Sequence, residues 1–285
     1  MKVAIVGSSG YIAKALTEHF QKISYIEKII RIGRSENDDL MLELNNCCDF
    51  DYSSLIGIDY IIFTAAISSP DKCSNEYEQS YKVNVEGTSN FIRNALDKGC
   101  KVLFFSSDAV YGSDLGEVFD ENSVTSPITA YGSMKKLVED NFSNEQNFKV
   151  IRLSYVVSKN DRFISYCIKC IDDKIEAEIF HPFYRNCVSL NNVCLAVIWI
   201  VNNWSNFTPW VLNVVGSELV SRVRIADELN RIFNDKLDYK IITPDDSFFK
   251  NRYKITEVKS VYNLDYKIYN LESFSESLCN ELKGI

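Results

Sequence analysis

The sequence is poor in histidine, in proline and in basic charge. Its 285 residues include 2 histidines and 5 prolines, and 31 Lys and Arg against 39 Asp and Glu give a net charge of −8. Because no basic surplus exists to meet phosphates, we expect neither a nucleic-acid nor an anionic-membrane partner. With only His19 and His181 as imidazoles, a zinc site is hard to assemble, and we expect no bound metal.

The chain also lacks a long apolar run and a signal-peptide pattern. No run approaches the roughly 20 apolar residues that span a bilayer. The N-terminus passes from one Lys straight into a strand-like run ending at Gly7, whereas a signal peptide ends its apolar stretch at a small-residue cleavage site. The 9 cysteines are scattered and typical of reduced, mostly buried thiols. These absences predict a cytoplasmic protein.

What the first half does contain is an alternation of short apolar runs with helical patterns. The predicted strands are Lys2–Val6, Lys28–Ile32, Asp59–Thr64, Val102–Ser106 and Lys149–Leu153. The predicted helices are Tyr11–Phe20, Glu78–Lys98, which Gly99 ends, and Ser133–Phe142. Apolar strands alternating with helices indicate βαβ units and a parallel sheet with helices on both faces. Residues 1–155 are therefore predicted to form an α/β, doubly wound (Rossmann) dinucleotide-binding domain.

The alternation loosens after Leu153. Further elements are predicted at Phe163–Ile171, Val193–Val201, Val211–Val215 and Arg222–Phe233. We interpret residues 156–285 as a smaller C-terminal lobe that binds the substrate and closes over the site. An alternative for some of its segments is that they return to the sheet.

A glycine-containing turn joins the first predicted strand to the first predicted helix. Gly7 permits a tight turn, Gly10 lets the backbone approach a pyrophosphate, and the small Ala13 allows close packing of helix and strand. The helix N-terminus offers free N–H groups and a positive dipole end to phosphates. This context favours a dinucleotide site over an ordinary βα turn. The expected cofactor-binding residues here are Gly7, Ser9, Gly10, Tyr11 and Ile12.

The end of the second strand decides which nicotinamide cofactor binds. An NAD enzyme usually places Asp or Glu there for the ribose hydroxyls, whereas a 2′-phosphate calls for Arg. Here Arg34 and Ser35 follow the strand, and no acid appears before Glu36. Arg34 offers a bidentate contact to phosphate and Ser35 a hydroxyl donor, so the sequence favours NADP(H), with NAD(H) as the alternative. A solvated surface charge is the competing interpretation of Arg34.

Further segments carry a family resemblance. Ser107-Asp108-Ala109-Val110-Tyr111-Gly112 follows the fourth strand, and Tyr131-Gly132-Ser133-Met134-Lys135 opens a helix. With Thr64-Ala65-Ala66, Val83–Thr88 and Arg152–Ser154, these segments resemble the extended short-chain dehydrogenase/reductase family, also described as the NAD-dependent epimerase/dehydratase group. The resemblance implies an NAD(P)-dependent oxidoreductase whose catalytic residues are Ser107, Tyr131 and Lys135. It also implies cofactor contacts from Ala65, Ala66 and Asn84, and from Asp49 or Asp51 at the adenine ring.

Tyr131 and Lys135 have a spacing that suits proton transfer. Four residues apart on a helix, they share one face. An ammonium about 4 Å from a phenolate interacts by about 4 kcal/mol at an effective dielectric constant near 20. That energy is on the order of three pK units, so we expect Lys135 to lower the pKa of Tyr131 towards neutrality. Tyr131 is then a general acid/base, and the resemblance implies that Lys135 also holds the nicotinamide ribose.

The residues after Ser107 distinguish reactions within the family. Sugar-nucleotide 4,6-dehydratases are similar in a Thr-Asp-Glu set, but here Asp108 is followed by Ala109. GDP-fucose synthase types carry a Cys at that position and a catalytic His, and neither is evident. Ser-Asp-Ala-Val most resembles the Thr-Asp-x-Val of dTDP-4-dehydrorhamnose reductase and its relatives. The resemblance thus implies NADPH-dependent reduction of a nucleotide-linked 4-keto-6-deoxy sugar in cell-surface polysaccharide biosynthesis, with Asp108 at the substrate.

One segment of the second half concerns the substrate. Tyr184–Val193 resembles the family's Arg-Asp-Tyr-Ile-His-Val-x-Asp segment, whose Arg meets the substrate diphosphate, so Arg185 is the candidate ligand. Asn186 and Asn192 stand where Asp is usual in that family. Two other functions stay open: a nucleotide-sugar 4-epimerase with tightly bound NAD, and a non-catalytic NADP-sensing protein on the same fold. A homodimer is expected by analogy with the family.

Overall fold

A computed structural model describes residues 1–112 and 116–283. The strands are β1 Lys2–Val6, β2 Lys28–Gly33, β3 Leu40–Met41, β4 Tyr60–Phe63, β5 Lys101–Ser107, β6 Val118–Phe119, β7 Phe148–Leu153, β8 Val156–Val157, β9 Ala177–Phe180, β10 Tyr184–Asn186, β11 Val188–Ser189, β12 Val211–Val214, β13 Leu219–Ser221, β14 Tyr239–Ile242 and β15 Ile255–Val258. The α-helices are α1 Tyr11–Phe20, α2 Pro70–Asn75, α3 Tyr77–Tyr81, α4 Thr88–Asp97, α5 Ala130–Phe142, α6 Arg162–Asp173, α7 Leu190–Asn202, α8 Arg222–Ile232, α9 Asp246–Phe249, α10 Val261–Tyr266 and α11 Phe274–Glu281. Short 3₁₀ helices span Leu44–Asp49, Tyr52–Leu55 and Asp108–Val110, and a π-helical segment spans Lys82–Gly87.

The chain divides into two compact units, each assembled from separated stretches of sequence. The first unit comprises Met1–Val110, Thr125–Arg152 and Val197–Leu212. The second unit comprises Tyr111–Val124, Leu153–Ala196 and Asn213–Ile285. A single cut near residue 155 therefore does not separate them, because Val197–Leu212 belongs to the first unit and Tyr111–Val124 to the second.

A seven-stranded sheet in the order β12-β7-β5-β4-β1-β2-β3 dominates the first unit. The pairs β1–β2, β1–β4, β4–β5 and β2–β3 are all parallel. The order reverses direction beside β1, which is the switch point where doubly wound sheets bind ligands. The predicted α/β fold with a Rossmann-like, mostly parallel sheet flanked by helices is confirmed.

The strands of this sheet are buried on both faces, as parallel strands covered by helices must be. Residues Val3–Val6 of β1 are all buried, and so is every residue of β4. Helix α1 turns Ala13, Leu16 and Phe20 inward at helical spacing. The core continues through a cluster of rings centred on Phe91, which lies 5.5 Å from Phe50 and 5.7 Å from Phe63 between ring centroids.

The helix expected over residues 78–98 is interrupted. Helix α3 and helix α4 are joined by the π-helical segment Lys82–Gly87, whose wider turn changes which side chains face inward. Gly87 packs so closely on the carbonyl of Leu44 that a Cβ there would overlap it. The periodicity of Val83, Val85, Phe91 and Ile92 does not reveal this wider turn, because apolar residues continue through it.

The second unit has smaller sheets around its own core. A four-stranded sheet runs β13-β10-β15-β6, and two-stranded sheets pair β11 with β8 and β14 with β9. Its core gathers residues such as Phe163, Ile179, Leu229 and Phe274. The helices begin at side-chain caps, including Asp161 before α6 and a Ser273–Glu276 capping box at α11.

All 9 cysteines are free thiols, and only Cys48 and Cys279 are exposed. Cys167 and Cys170 form a Cys-x-x-Cys spacing in α6, where both are buried.

Within residues 1–112 and 116–283, no cluster of three or more His, Cys, Asp or Glu side chains is arranged to hold a metal ion. Within the same ranges, no helix combines the length and the apolar character that crossing a membrane requires.

Candidate functional site

The glycine turn after β1 lies against the loop after β4. Gly7 has φ +88°, and a Cβ on it would lie 2.8 Å from the backbone N and Cα of Ala65. Its N–H donates to the carbonyl of Ile32 on β2 at 2.8 Å. The turn therefore needs glycine both for its backbone conformation and for this close approach.

Helix α1 begins directly after this turn. Its N-cap residue is Gly10, which has no side chain to accept a hydrogen bond from the first turn. A helix N-terminus that begins at glycine is open to the close approach of a phosphate, which its amide groups and dipole favour. Ser9 is exposed, and Tyr11 and Ile12 are half-buried at the same end of the helix.

An acid that sequence reasoning missed contacts the same turn. The Ser8 hydroxyl donates to Asp38 Oδ1 at 2.5 Å, and the Ser35 backbone N–H donates to Asp38 Oδ2 at 2.9 Å. A Cβ on Gly33 would lie 2.5 Å from the same carboxylate. The Asp38 side chain therefore lies at the end of β2. The four-residue turn from Ser35 to Asp38 is the signal that could have located it.

The basic residue expected nearby is exposed. Arg34 makes no hydrogen bond or ion pair with any described residue. The Ser35 hydroxyl accepts from the Asn37 backbone N–H at 3.2 Å. Asp49 is exposed and accepts a hydrogen bond from Asn46, while Asp51 caps the 3₁₀ helix at Ser53. The local contacts of Asp51 are those of a helix cap.

Asn84 lies in the π-helical segment and holds the loop after β4. Its Oδ1 accepts from the Ile67 N–H at 2.8 Å, and its Nδ2 donates to the Ile67 carbonyl at 2.9 Å. The buried amide thus satisfies both backbone groups of one residue. The loop that carries Ala65 and Ala66 is fixed by these bonds, in a helix segment of a kind that is frequent at functional sites.

Helix α5 is positioned against the loop after β5. Its N-cap is Thr129, whose hydroxyl accepts from the Gly132 N–H at 3.1 Å. Gly132 packs against the carbonyl of Ala109, where a Cβ would overlap it. Ser107 donates to Asp108 Oδ1 at 3.1 Å and accepts from the Ala109 N–H at 3.2 Å. These contacts bring the helix end that carries Tyr131 to the loop that carries Ser107.

Lys135 is buried one turn after Tyr131. Its Nζ donates to the carbonyl of Phe105 at 2.7 Å and lies 4.5 Å from the centroid of the Phe104 ring. The distance from Nζ to the centroid of the Tyr131 ring is 5.8 Å. Burial lowers the pKa of Lys135 to about 7, while the carboxylate of Glu139 acts in the opposite direction.

The pKa of Tyr131 moves in the direction opposite to the expected one. Burial raises the pKa of the phenol, and Cys73, Asp108 and Tyr11 add to that rise. The expectation that Lys135 lowers the pKa of Tyr131 is therefore wrong, because burial of the phenol raises that pKa. The Lys135 ammonium donates to the Phe105 carbonyl. Tyr131 is therefore a protonated phenol at neutral pH in this structure.

A buried ion pair supports the same helix. Arg152 on β7 donates from Nη2 to Glu139 Oε2 at 2.6 Å and from Nε to Oε1 at 3.1 Å. Both residues are buried, and Glu139 lies one turn after Lys135 on α5. Sequence reasoning had not paired these residues, since their contact joins a helix and a strand across the unit.

A thiol that the sequence did not single out lies beside Tyr131. Cys73 on α2 is fully buried in a cluster with Met134 and Val85, against which Tyr131 packs. Its Sγ donates to the Ile67 carbonyl at 3.1 Å, and burial raises the pKa of the thiol. Cys73 is therefore a neutral packing group next to the phenol.

The predicted substrate residue Arg185 lies in the second unit, on β10. Its Nη1 donates to the Tyr184 carbonyl at 2.6 Å and its Nη2 to the Tyr253 carbonyl at 2.8 Å.

Two asparagines stand where the family resemblance implies aspartates, and the side-chain amide of each forms a hydrogen bond. Asn186 accepts from the Val258 N–H at 2.8 Å, and Asn192 donates to the Asn270 carbonyl at 2.9 Å. An aspartate at residue 192 could not make that donation, so the substitution there reflects packing.

Comparison with known proteins identifies a family. The family described as "RmlD substrate binding domain" matches residues 1–246 of the chain. The "Spore coat polysaccharide biosynthesis protein SpsK" of Bacillus subtilis is 24% identical over 170 residues, which is 59% of each chain. The chain spans 59%, 44% and 53% of the lengths of three curated relatives, which is about half.

Solved structures share the fold along nearly the full chain. A dTDP-4-dehydrorhamnose reductase from Bacillus anthracis, solved with NADP, has a TM-score of 0.81 at 20% identity, covering 98% of this chain and 97% of that chain. A UDP-glucuronic acid 4-epimerase from Bacillus cereus, solved with NAD, has a TM-score of 0.84 at 17% identity, covering 99% and 98%. These similarities establish a common fold for the chain, the reductase and the epimerase.

Proposed function

Because the chain belongs to the RmlD substrate binding domain family, we propose that it is an NADPH-dependent reductase of a nucleotide-linked 4-keto-6-deoxy sugar. The observation that carries this proposal is the position of Tyr131, which lies beside Lys135 on a helix whose Gly132 packs against the loop that holds Ser107. A reductase needs a proton donor at the carbonyl oxygen, and a phenol with a raised pKa is one. Similarity to a polysaccharide biosynthesis protein supports a sugar-nucleotide substrate.

The first unit has the features that a dinucleotide requires. The Gly7 turn leaves no room for a side chain, and the uncapped amides of α1 would hold the pyrophosphate. Arg34 would meet a 2′-phosphate, and Ser9, Tyr11 and Ile12 would line the turn. Ala65, Ala66 and Asn84 would contact the cofactor or fix the loop that does, and Asp49 is the proposed adenine contact.

When bound, NADPH would supply the hydride that reduces the carbonyl carbon to an alcohol carbon. Ser107 would donate a hydrogen bond to the carbonyl oxygen, and Tyr131 would transfer its proton to that oxygen as the C–H bond forms. The phenolate left on Tyr131 would be stabilised by the Lys135 ammonium and reprotonated from water. Asp108 and Arg185 are the proposed substrate contacts, with Arg185 at the diphosphate.

The alternative function is a nucleotide-sugar 4-epimerase with tightly bound NAD. Asp38 favours it, because a carboxylate at the end of β2 would accept hydrogen bonds from ribose hydroxyls and repel a 2′-phosphate. The exposed Arg34 favours NADPH instead. Cofactor content of the purified protein separates the two functions, since an epimerase that regenerates its cofactor would retain NAD.

The test is consumption of NADPH at 340 nm with dTDP-, UDP- and GDP-linked 4-keto-6-deoxyhexoses. We expect oxidation with one nucleotide series, and loss of about 10²–10⁴-fold in kcat for Tyr131→Phe with NADPH binding unchanged. Tyr25→Phe, which changes an exposed tyrosine of the same unit, is the matched control. If the wild-type protein binds NADPH but oxidises it with none of these sugars, the reductase proposal is rejected.

A further inference from the structure

Cys73 lies where three elements of the first unit meet. Helix α2 turns its side chain inward, where it is fully buried in a cluster with Val85 and Met134. Tyr131 packs against the same cluster. The thiol is thus packed between α2, the π-helical segment that carries Val85 and helix α5, which carries both Met134 and Tyr131.

The thiol is hydrogen-bonded to the loop that follows β4. Its Sγ donates to the Ile67 carbonyl at 3.1 Å, and the Asn84 amide donates to the same oxygen at 2.9 Å. Asn84 Nδ2 also lies 3.7 Å from the Cys73 Sγ and 3.7 Å from the Met134 Sδ. The same loop carries Ala65, which contacts the glycine turn after β1. Cys73 therefore joins the loop of the proposed dinucleotide site to helix α5.

Cys73 is also an electrostatic neighbour of the two residues of α5 that the proposed mechanism uses. After burial, it is the largest contributor to the raised pKa of Tyr131. Burial lowers the pKa of Lys135, and Cys73 opposes that effect together with Glu139. Burial raises the pKa of the thiol itself, and the groups that act in the opposite direction are Ser80, Lys135, Asn84 and Lys72. The thiol is therefore neutral at pH 7 and fills space beside the phenol that water would otherwise occupy.

We propose that Cys73 is a positioning residue for Tyr131, whose thiol fixes the loop after β4 against helix α5 and keeps water from the space beside the phenol. This inference rests on the proposed function, because the step that it serves is proton transfer from Tyr131. Cys73 acts through Tyr131 and gives neither a proton nor an electron to the substrate. Position matters here because a displacement of about 1 Å can lower a rate by a factor on the order of 10².

The first variant is Cys73→Ala. It opens a space where the Ile67 carbonyl and the Asn84 amide would hold a water. We expect kcat for NADPH oxidation with the accepted sugar to fall by about fivefold or more, while KM changes by less than about twofold, because the proton donor is displaced and the binding contacts are kept. Hydration should raise the pKa of Lys135, so the falling limb of the pH profile should move up by about half a unit or more.

Two further variants separate positioning from a general loss of packing. Cys73→Ser keeps a donor for the Ile67 carbonyl and should retain kcat within about threefold of wild type. Cys100→Ala removes an equally buried thiol of the same unit, which donates to the Leu55 carbonyl at 3.5 Å and belongs to the core cluster around Phe91. This control should leave kcat and the pH profile unchanged. Equal losses of kcat in Cys73→Ala and Cys100→Ala would overturn the positioning role.

A second measurement needs neither a substrate nor an alanine variant. In protein labelled with carbon-13 at cysteine Cβ and lysine Cε, the Lys135 signal should titrate with a midpoint of about 7. The Cys73 signal should shift in the same titration, because the two groups act on each other, and the Cys100 signal should stay constant. Cys73→Ser and Lys135→Arg assign the signals. A Cys73 signal that stays constant while the Lys135 signal titrates would overturn the inference.

The outcomes separate this inference from the reductase proposal. Coupled titration of Cys73 and Lys135, with a raised Lys135 midpoint in Cys73→Ala, supports the position of the thiol even if the protein oxidises NADPH with none of the 4-keto sugars. That combination rejects the reductase alone. Reductase activity with the same kcat and pH profile in wild type and in folded Cys73→Ala rejects the positioning role and leaves the reductase proposal intact.

Discussion

Lys135 Nζ donates a 2.7 Å hydrogen bond to the carbonyl oxygen of Phe105, two residues before Ser107 on β5. The bond ties the side chain of α5 to the strand whose end carries the serine. The Lys135 ammonium is therefore hydrogen-bonded to the strand, and its burial lowers its pKa to about 7.

The first prediction concerns that charge. The pKa of Lys135 is lowered to about 7, so the ammonium is lost as pH rises through 7, whereas Tyr131 stays protonated. We expect kcat/KM for the proposed reduction to fall as pH rises above about 7, by about tenfold per unit. Lys135→Arg, whose guanidinium does not titrate in this range, should lack the falling limb if it is active. A wild-type profile that stays flat up to pH 9 would contradict the assignment.

The second prediction concerns the Glu139–Arg152 pair. Glu139→Gln should lower the free energy of unfolding by about 3–5 kcal/mol, because it removes the carboxylate that neutralises the buried Arg152 charge. The double variant Glu139→Gln/Arg152→Met should regain part of that loss. Asp140→Asn, at the next residue in an exposed pair with Lys136, should cost less than about 1 kcal/mol. Urea denaturation measures all three, and equal effects of the two single substitutions would refute the prediction.

The third prediction concerns cofactor choice. Removing the Asp38 charge in Asp38→Asn should raise the preference for NADPH over NADH by about tenfold, since a carboxylate beside a 2′-phosphate repels it. Arg34→Gln should weaken NADPH binding by a similar factor and leave NADH binding unchanged. Dissociation constants from fluorescence titration test both, with the exposed Glu36→Gln as control. An unchanged ratio in both variants would show that neither side chain contacts the ribose end.

The fourth prediction compares two glycines with positive φ. Gly7→Ala should abolish measurable dinucleotide binding and destabilise the fold by about 1–3 kcal/mol, because the added Cβ meets Ala65 at 2.8 Å. Gly57→Ala has a similar φ of +80° but no atom within 4 Å of the added Cβ. It should cost about 1 kcal/mol and leave binding intact. Thermal unfolding with and without NADPH measures both effects.

The parts of the fold set by local pattern could be predicted from the sequence. The bounds of β1 and α1 agree with the predicted Lys2–Val6 and Tyr11–Phe20, because a buried apolar run and a helical apolar stripe each leave a clear period. The glycine turn between them could be located for the same reason. The mostly parallel, helix-flanked sheet that this alternation predicts is confirmed, whereas its strand order is given by the structure alone.

The parts set by contacts between distant segments could not be predicted. The π-helical segment packs its Gly87 against the carbonyl of Leu44, and the turn after β2 brings Asp38 to Ser8. The pKa of Tyr131 is raised first by burial and then by Cys73, which is 58 positions away. None of these contacts has a period or a spacing that a linear pattern reveals.

The distribution of the thiols allows this protein to be labelled at defined positions without mutation. Of its 9 cysteines, the two exposed ones are Cys48, in the first unit, and Cys279, in the second. A maleimide or nitroxide reagent under native conditions would attach one label to each unit and spare the buried thiols. Pulsed electron resonance on the doubly labelled chain would then give the separation of the units as a distance distribution, before and after a dinucleotide or a nucleotide diphosphate is added.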